Sequence, residues 1–201
     1  LPAVTIDPTA AVAPSVDLIL WSRLGWPYQH ADFDRAAWHD RALFEYGGVI
    51  RTMADLPLIA PQMRAWPPWQ KHRDWLAQNA GFRRDVLDRL RDQGATRAAD
   101  IPDTAQVSWA SSGWTNNRNP MQMLEFLVAL GDVAISSRDA KGRLFDLAES
   151  VYPHDQFTLS AAEASLEIAQ RRLSALGIAR PKAFSGLHES VALAEIGEAA
   201  R

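Results

Sequence analysis

RRDVLDRLRDQGATRAADIPDTAQVSWASSGWTNNRNPMQMLEFLVALGDVAISSRDAKGRLFDL, Arg83 to Leu147, is the stretch that decides the fold. Val86, Leu87 and Leu90 place an apolar face on a helix from Arg84 to Gln93, with Arg84, Asp88, Arg91 and Asp92 opposite and Gly94 as its left-handed stop. Thr96 reads as the N-cap of a further turn that Pro102 keeps short. After a Trp- and Asn-rich connection, Asn119 and Pro120 start a strongly apolar helix through Met121, Leu124, Leu127, Val128 and Leu130, ended by Gly131. Alternation about Val133 and Ile135, then Leu144 to Leu147, across a turn with Asp139 and Gly142 predicts a hairpin tipped by Lys141. Helix, short helix, helix and hairpin in that order is the pattern of a winged helix-turn-helix, which commonly lays its third helix in a DNA groove.

Outward from this core, the N-terminal side is less regular. Asp7 followed by Pro8 signals a helix start that Pro14 keeps brief. Val16 to Trp21 is apolar enough for either a buried strand or a helical turn, and periodicity does not separate the two. Asp32 to Phe44 reads as a helix broken by Gly47 and Gly48. Ile50 to Trp69, with four prolines, reads as an irregular crossing with one helical turn near Gln62 to Ala65, and helix resumes over His72 to Asn79. Beyond the hairpin, Ser160 and Glu163 form a capping box for a helix ended by Gly177. Ala175 to Pro181 resembles the first turn of another helix-turn-helix. The expected fold is mainly α with small β wings (α+β), as tandem winged helix-turn-helix domains. Its expected units are 1–80, 81–153, and 154–201 as the start of a further one.

Composition narrows the chemistry. The 201 residues contain no Cys, which excludes a disulfide framework and any thiolate site. A formal net charge of −3 argues against holding nucleic acid by bulk electrostatics, so local arginines must make any phosphate contact. The five His show no ligand spacing with carboxylates, so no metal is inferred, and no Gly-rich phosphate loop implies a nucleotide cofactor. No apolar run is long enough for a membrane span and nothing at the start reads as a signal peptide, which makes the cytoplasm the expected location. The chain opens without Met and in mid-pattern, as a piece of a longer protein would.

Four ordered segments carry a resemblance: LILWSRLG (Leu18–Gly25), LFEY (Leu43–Tyr46), WASSGWTNNRNPMQMLEFL (Trp109–Leu127) and GRLFDLAESVYP (Gly142–Pro153). Together they resemble the AlkZ/YcaQ-like crosslink-repair DNA glycosylases. The resemblance implies a monomer of tandem winged helices that binds double-stranded DNA, removes alkylated purines and unhooks interstrand crosslinks. The family's catalytic motif is Gln, an apolar residue, then Gln or Asp, and Thr5, Ile6 and Asp7 stand at its three positions here. In extended chain Thr5 and Asp7 share a face and Ile6 packs behind. Asp7 is then the carboxylate that stabilises positive charge developing on the sugar, and Thr5 the water-positioning candidate. Asp7 reads equally well as a helix cap. Thr5 replaces an amide, and Gly47, Gly48 and Val49 stand where the family has an aromatic residue and a His, as in Trp-Ala-His. Candidate DNA contacts are Arg23; Trp114, Asn116, Asn117 and Arg118 ahead of the third helix; Gln122 as an exposed residue on it; and Arg138, Lys141 and Arg143 at the hairpin. The second function class is a non-catalytic winged-helix DNA binder, such as a damage binder or transcription regulator.

Overall fold

The computed structural model describes residues 3–7, 12–110, 118–153 and 158–178. In chain order these form β1 (Val4–Thr5), α1 (Ser15–Leu24), α2 (His30–Asp34) running into a π-helical turn (Arg35–His39), β2 (Leu43–Tyr46), β3 (Val49–Thr52), a 3-10 turn (Met53–Asp55) and α3 (Leu56–Ala65). Then come α4 (Gln70–Gln78), α5 (Ala80–Gln93), a 3-10 turn (Ala98–Asp100), α6 (Asn119–Leu130), β4 (Val133–Asp139), β5 (Gly142–Leu147), α7 (Ala148–Val151) and α8 (Ala161–Leu176). The protein is mainly helical with small antiparallel sheets, an α+β architecture. It divides into two compact units, Leu1–Arg64 with His154–Arg201, and Ala65–Pro153.

In the first unit a three-stranded antiparallel sheet has the order β1-β3-β2. LFEY is therefore strand, not the end of a helix: the helical run that starts at His30 stops at His39, and Arg41 takes a left-handed φ of 54° before β2. Gly47 and Gly48, with φ of 60° and 76°, make the turn between β2 and β3. Two successive positive φ values match the right-handed twist of a two-residue hairpin, and glycine adopts them without strain. Val16, Phe33, Ala37 and Ile50 form the core on one face of this sheet, with Val4, Ile6, Leu20 and Tyr28 packed against it. The Val16–Trp21 run resolves as helix α1, which buries Val16 and leaves Leu18, Trp21 and Leu24 exposed.

The proline-rich crossing is a full helix, α3, rather than a single turn. Leu56, Leu58, Ile59, Ala60, Pro61 and Met63 are buried along it, and that burial outweighs the hydrogen bond Pro61 does not make. Helix α8 has the expected capping box, Ser160 with Glu163, and packs Ala164 and Ile168 on Leu58. Arg171 donates to the buried Asp55 carboxylate at 2.8 Å, and Thr52 donates to its other oxygen at 2.8 Å. A carboxylate 2% exposed is thus paired and hydrogen-bonded, as burial of a charge requires.

In the second unit the expected order of helix, short helix, helix and hairpin is present. Helix α5 buries Phe82, Val86 and Leu90 and ends at Gly94. Thr96 forms an isolated β-bridge rather than a cap: it exchanges two backbone hydrogen bonds with Phe145 of β5, at 2.8 and 2.9 Å. Asn119 is the first residue of α6 rather than its N-cap, and its buried side chain accepts from Trp109 N–H at 2.7 Å and donates to Asp103 at 2.9 Å. Asn79 holds Val107 from the other side through bonds of 3.0 and 3.2 Å. The two asparagines thereby fix the irregular segment before residue 110.

An aromatic cluster adds to the core of this unit. Phe126 meets Trp66 at 4.8 Å, Trp109 at 5.2 Å and Trp75 at 5.5 Å between ring centroids. His72 lies among them, 4.8 Å from Phe126 and 5.6 Å from Trp66, and its buried Nδ1 has no hydrogen-bond partner among the described residues. These contacts place residues 65–80 with the second unit. Burial, and then the Lys71 charge, hold the His72 pKa below its ordinary 6.5.

The unfolded chain takes up the His72 proton first as pH falls, so this residue's contribution is complete above pH 6.5 and is lost on acidification through the lowered folded value. His72→Phe is expected to be flatter than the parent in midpoint denaturant concentration between about pH 7.5 and 5.5, the range that brackets an ordinary His. Parallel curves for the two proteins would refute the assignment.

Candidate active site

The triplet is held by three backbone anchors, all within the first unit. Thr5 pairs with Val49 and Val4 with Ile50 in the β1–β3 ladder. Ile6 N–H donates to the Gly48 carbonyl at 2.9 Å. Asp7 N–H donates to Ser15 Oγ at 2.7 Å, and that hydroxyl donates to the Thr5 carbonyl at 3.2 Å. Thr5 and Asp7 are exposed while Ile6 is half-buried against the core, as the two-residue period of extended chain requires. The segment from Pro8 to Ala11, the helix that Asp7 would cap, lies outside the described residues.

Directly opposite residues of antiparallel strands have Cβ atoms about 4.5–5.5 Å apart, so Val49 is the cross-strand neighbour of Thr5. Tyr46 follows across β3, opposite Val49. Its hydroxyl pKa is pushed up to about 12 by burial, with the Arg51 charge opposing, so it is a neutral group at physiological pH.

A polar cluster that sequence spacing does not reveal joins α1 to α2. His30 Nδ1 lies 2.8 Å from Asp17 Oδ1 and its Nε2 lies 3.2 Å from Asp34 Oδ2. Two carboxylates on the two ring nitrogens fit an imidazolium, and the hydrogen bond to Asp17 raises the His30 pKa above its ordinary value. The Tyr28 hydroxyl donates to the same Asp17 oxygen; burial first, then that bond, raises its pKa. Only the His30–Asp34 spacing of four is visible in sequence. Among the described residues no group of three or more His, Asp or Glu has the arrangement to hold a metal ion, and no helix is long and apolar enough to cross a membrane.

The sequence-predicted DNA contacts fall in both units. Arg23 is exposed in the last turn of α1 and borders a small cleft with Ala3, Leu20, Leu43 and Thr52. Arg118 is exposed at the start of α6. Gln122 is 9% exposed, a correction to its reading as an exposed residue: α6 is buried nearly all round, and none of its residues from Asn119 to Leu130 is exposed. At the hairpin Lys141 is exposed and Arg138 half-buried. Arg143 is turned back onto α6, where it pairs with Glu125 and lies 5.0 Å over the Phe145 ring. Asp139 pairs with Arg97, which with the Lys141 N–H holds its carboxyl below the usual range. Trp114, Asn116 and Asn117 lie outside the described residues.

Fold and triplet together describe a mainly helical α+β protein that presents a hydroxyl and a carboxylate two residues apart at a sheet margin. Comparison with known proteins sets this within the DNA glycosylases: the family model described as DNA glycosylase AlkZ-like matches residues 1–200. The chain belongs to that family, whose substrate class is DNA. No solved structure matches it.

Proposed function

We propose that the protein is an AlkZ-like glycosylase that hydrolyses the N-glycosidic bond of alkylated purines or of interstrand crosslinks in duplex DNA. The observation that supports this reading is the triplet itself, with Thr5 and Asp7 exposed on one side and Ile6 packed behind. An N7-alkylated purine already carries positive charge, so the C1′–N9 electron pair leaves with the base and needs no added proton. Positive charge then develops on the sugar, where the Asp7 carboxylate stabilises it. Water adds to C1′ and loses its proton to the carboxylate, with the Thr5 hydroxyl orienting that water. The second unit acts as a winged helix and the first as its companion, in a monomer. Arg23, Trp114, Asn116, Asn117, Arg118, Arg138 and Lys141 meet the duplex, chiefly its phosphates. Arg143 supports the hairpin through Glu125 rather than reaching DNA.

A second reading, a non-catalytic winged-helix binder, is favoured by one specific feature. Val49 stands in the stretch where the family carries its His, and it is the residue paired with Thr5. Both polar partners of the carboxylate are then reduced. The test is release of N7-alkylguanine from duplex DNA under single-turnover conditions. Parent protein is expected to release base slowly, and Thr5→Gln, which restores an amide's separate donor and acceptor, to be roughly tenfold faster or more, within the range of a positioned proton-transfer group. Lesion-independent binding with no release by either protein would favour the second reading.

A further inference from the structure

Ser15 is the first residue of α1, and its hydroxyl does not cap its own helix. Pro14 occupies the N-cap position, and its carbonyl accepts the first helical bonds, from Asp17 and Leu18 at 3.0 and 3.2 Å. The Ser15 hydroxyl instead accepts from Asp7 N–H and donates to the Thr5 carbonyl. A hydroxyl has one proton and two lone pairs, so one atom serves both bonds at once.

The consequence is geometric. Thr5 and Asp7 flank Ile6, and a single oxygen holds the carbonyl of one and the amide of the other. Ile6 N–H is held from the opposite direction by the Gly48 carbonyl at the hairpin turn. The peptide groups around Ile6 are therefore fixed by two elements remote in sequence, a helix start and a glycine turn. The backbone sets the Cα–Cβ directions, so the side chains of Thr5 and Asp7 leave the chain on one side before any substrate arrives. We propose that Ser15 is a positioning residue for the Thr5–Ile6–Asp7 site, setting how its carboxylate meets the reacting sugar. This rests on the glycosylase reading above and adds to it a residue outside the triplet. Small misplacement of a reacting group costs up to about a hundredfold in rate, so a staple of this kind acts on the chemical step rather than on affinity.

The experiment compares parent, Ser15→Ala and Ser15→Thr as the full chain. Single-turnover base release from duplex carrying N7-alkylguanine is measured beside duplex affinity and hydrogen exchange at the Asp7 amide. Ser15→Ala is expected to lower the maximal rate roughly tenfold or more with affinity within about twofold, in line with loss of orientation. Its Asp7 amide is expected to exchange faster than in the parent, and Ser15→Thr, which keeps the hydroxyl, to restore both. An active parent with an equally active Ser15→Ala variant overturns the role of Ser15 and leaves the glycosylase reading standing. Equal Asp7 exchange in parent and Ser15→Ala overturns the staple itself. A parent that releases no base overturns the glycosylase reading, and the positioning role with it.

Discussion

Asp7→Asn is expected to reduce base release at least about a hundredfold, the scale of losing a preorganised electrostatic group together with the acceptor for the water proton. The substitution is nearly isosteric and keeps the Asp7 backbone, whose N–H is the group held by Ser15. Position is therefore preserved while charge is removed, and the loss should appear in the maximal single-turnover rate. Asp7 is exposed, so its carboxylate is not a buried charge on which folding depends, and thermal stability should move little. A comparably large loss of duplex affinity, or a fall in melting temperature that tracks the loss of rate, would show that Asp7 serves the fold and not the chemistry. An active Asp7→Asn protein would move the reaction to other residues altogether.

The candidate triplet is singled out by its resemblance to the family's motif, and only its local geometry is legible in the residues themselves. The two-residue period of extended chain is enough to place Thr5 and Asp7 together and Ile6 behind, because it depends only on neighbours in the chain. Helices α5, α6 and α8 and the β4–β5 hairpin are legible for the same reason: each carries its own cap, stop or turn residue, at Gly94, Gly131, Ser160 with Glu163, and Asp139 to Gly142. What fails to show is decided at a distance. LFEY has no alternation to mark it as a strand because Phe44, Glu45 and Tyr46 are all buried, and the Gly47–Gly48 pair is the one local sign of a hairpin. The prolines of α3 point away from a helix that its buried face nevertheless forms. Gln122 lies off the apolar stripe of Met121, Leu124, Leu127 and Val128, yet α6 is covered on nearly every side. Ser15 cannot be found from sequence, since its partners lie eight and ten residues away with nothing periodic between them.

Phe126→Ala is expected to destabilise the second unit by about 3–5 kcal/mol, the cost of emptying a large aromatic site that its neighbours cannot close. The ring is 5% exposed and touches Trp66, His72, Trp75 and Trp109, which come from three separate stretches of chain. Rigid indoles on several sides relax poorly into a cavity, which puts the expected loss toward the upper part of that range. Trp69→Ala supplies the contrast: its ring is 63% exposed and meets His72 edge-on at 5.0 Å, so about 1 kcal/mol or less is expected. Denaturant midpoints read by tryptophan emission check both, and similar losses from the two substitutions would show that Phe126 is not the centre of the cluster. Because a domain of this size holds only about 5–15 kcal/mol in total, Phe126→Ala brings the second unit close to unfolding while leaving the triplet's own anchors untouched. The proposed division of labour then makes a further demand. Duplex affinity should fall in mild denaturant well before the Asp7 amide loses its protection, whereas simultaneous loss would mean that the two units do not fold independently.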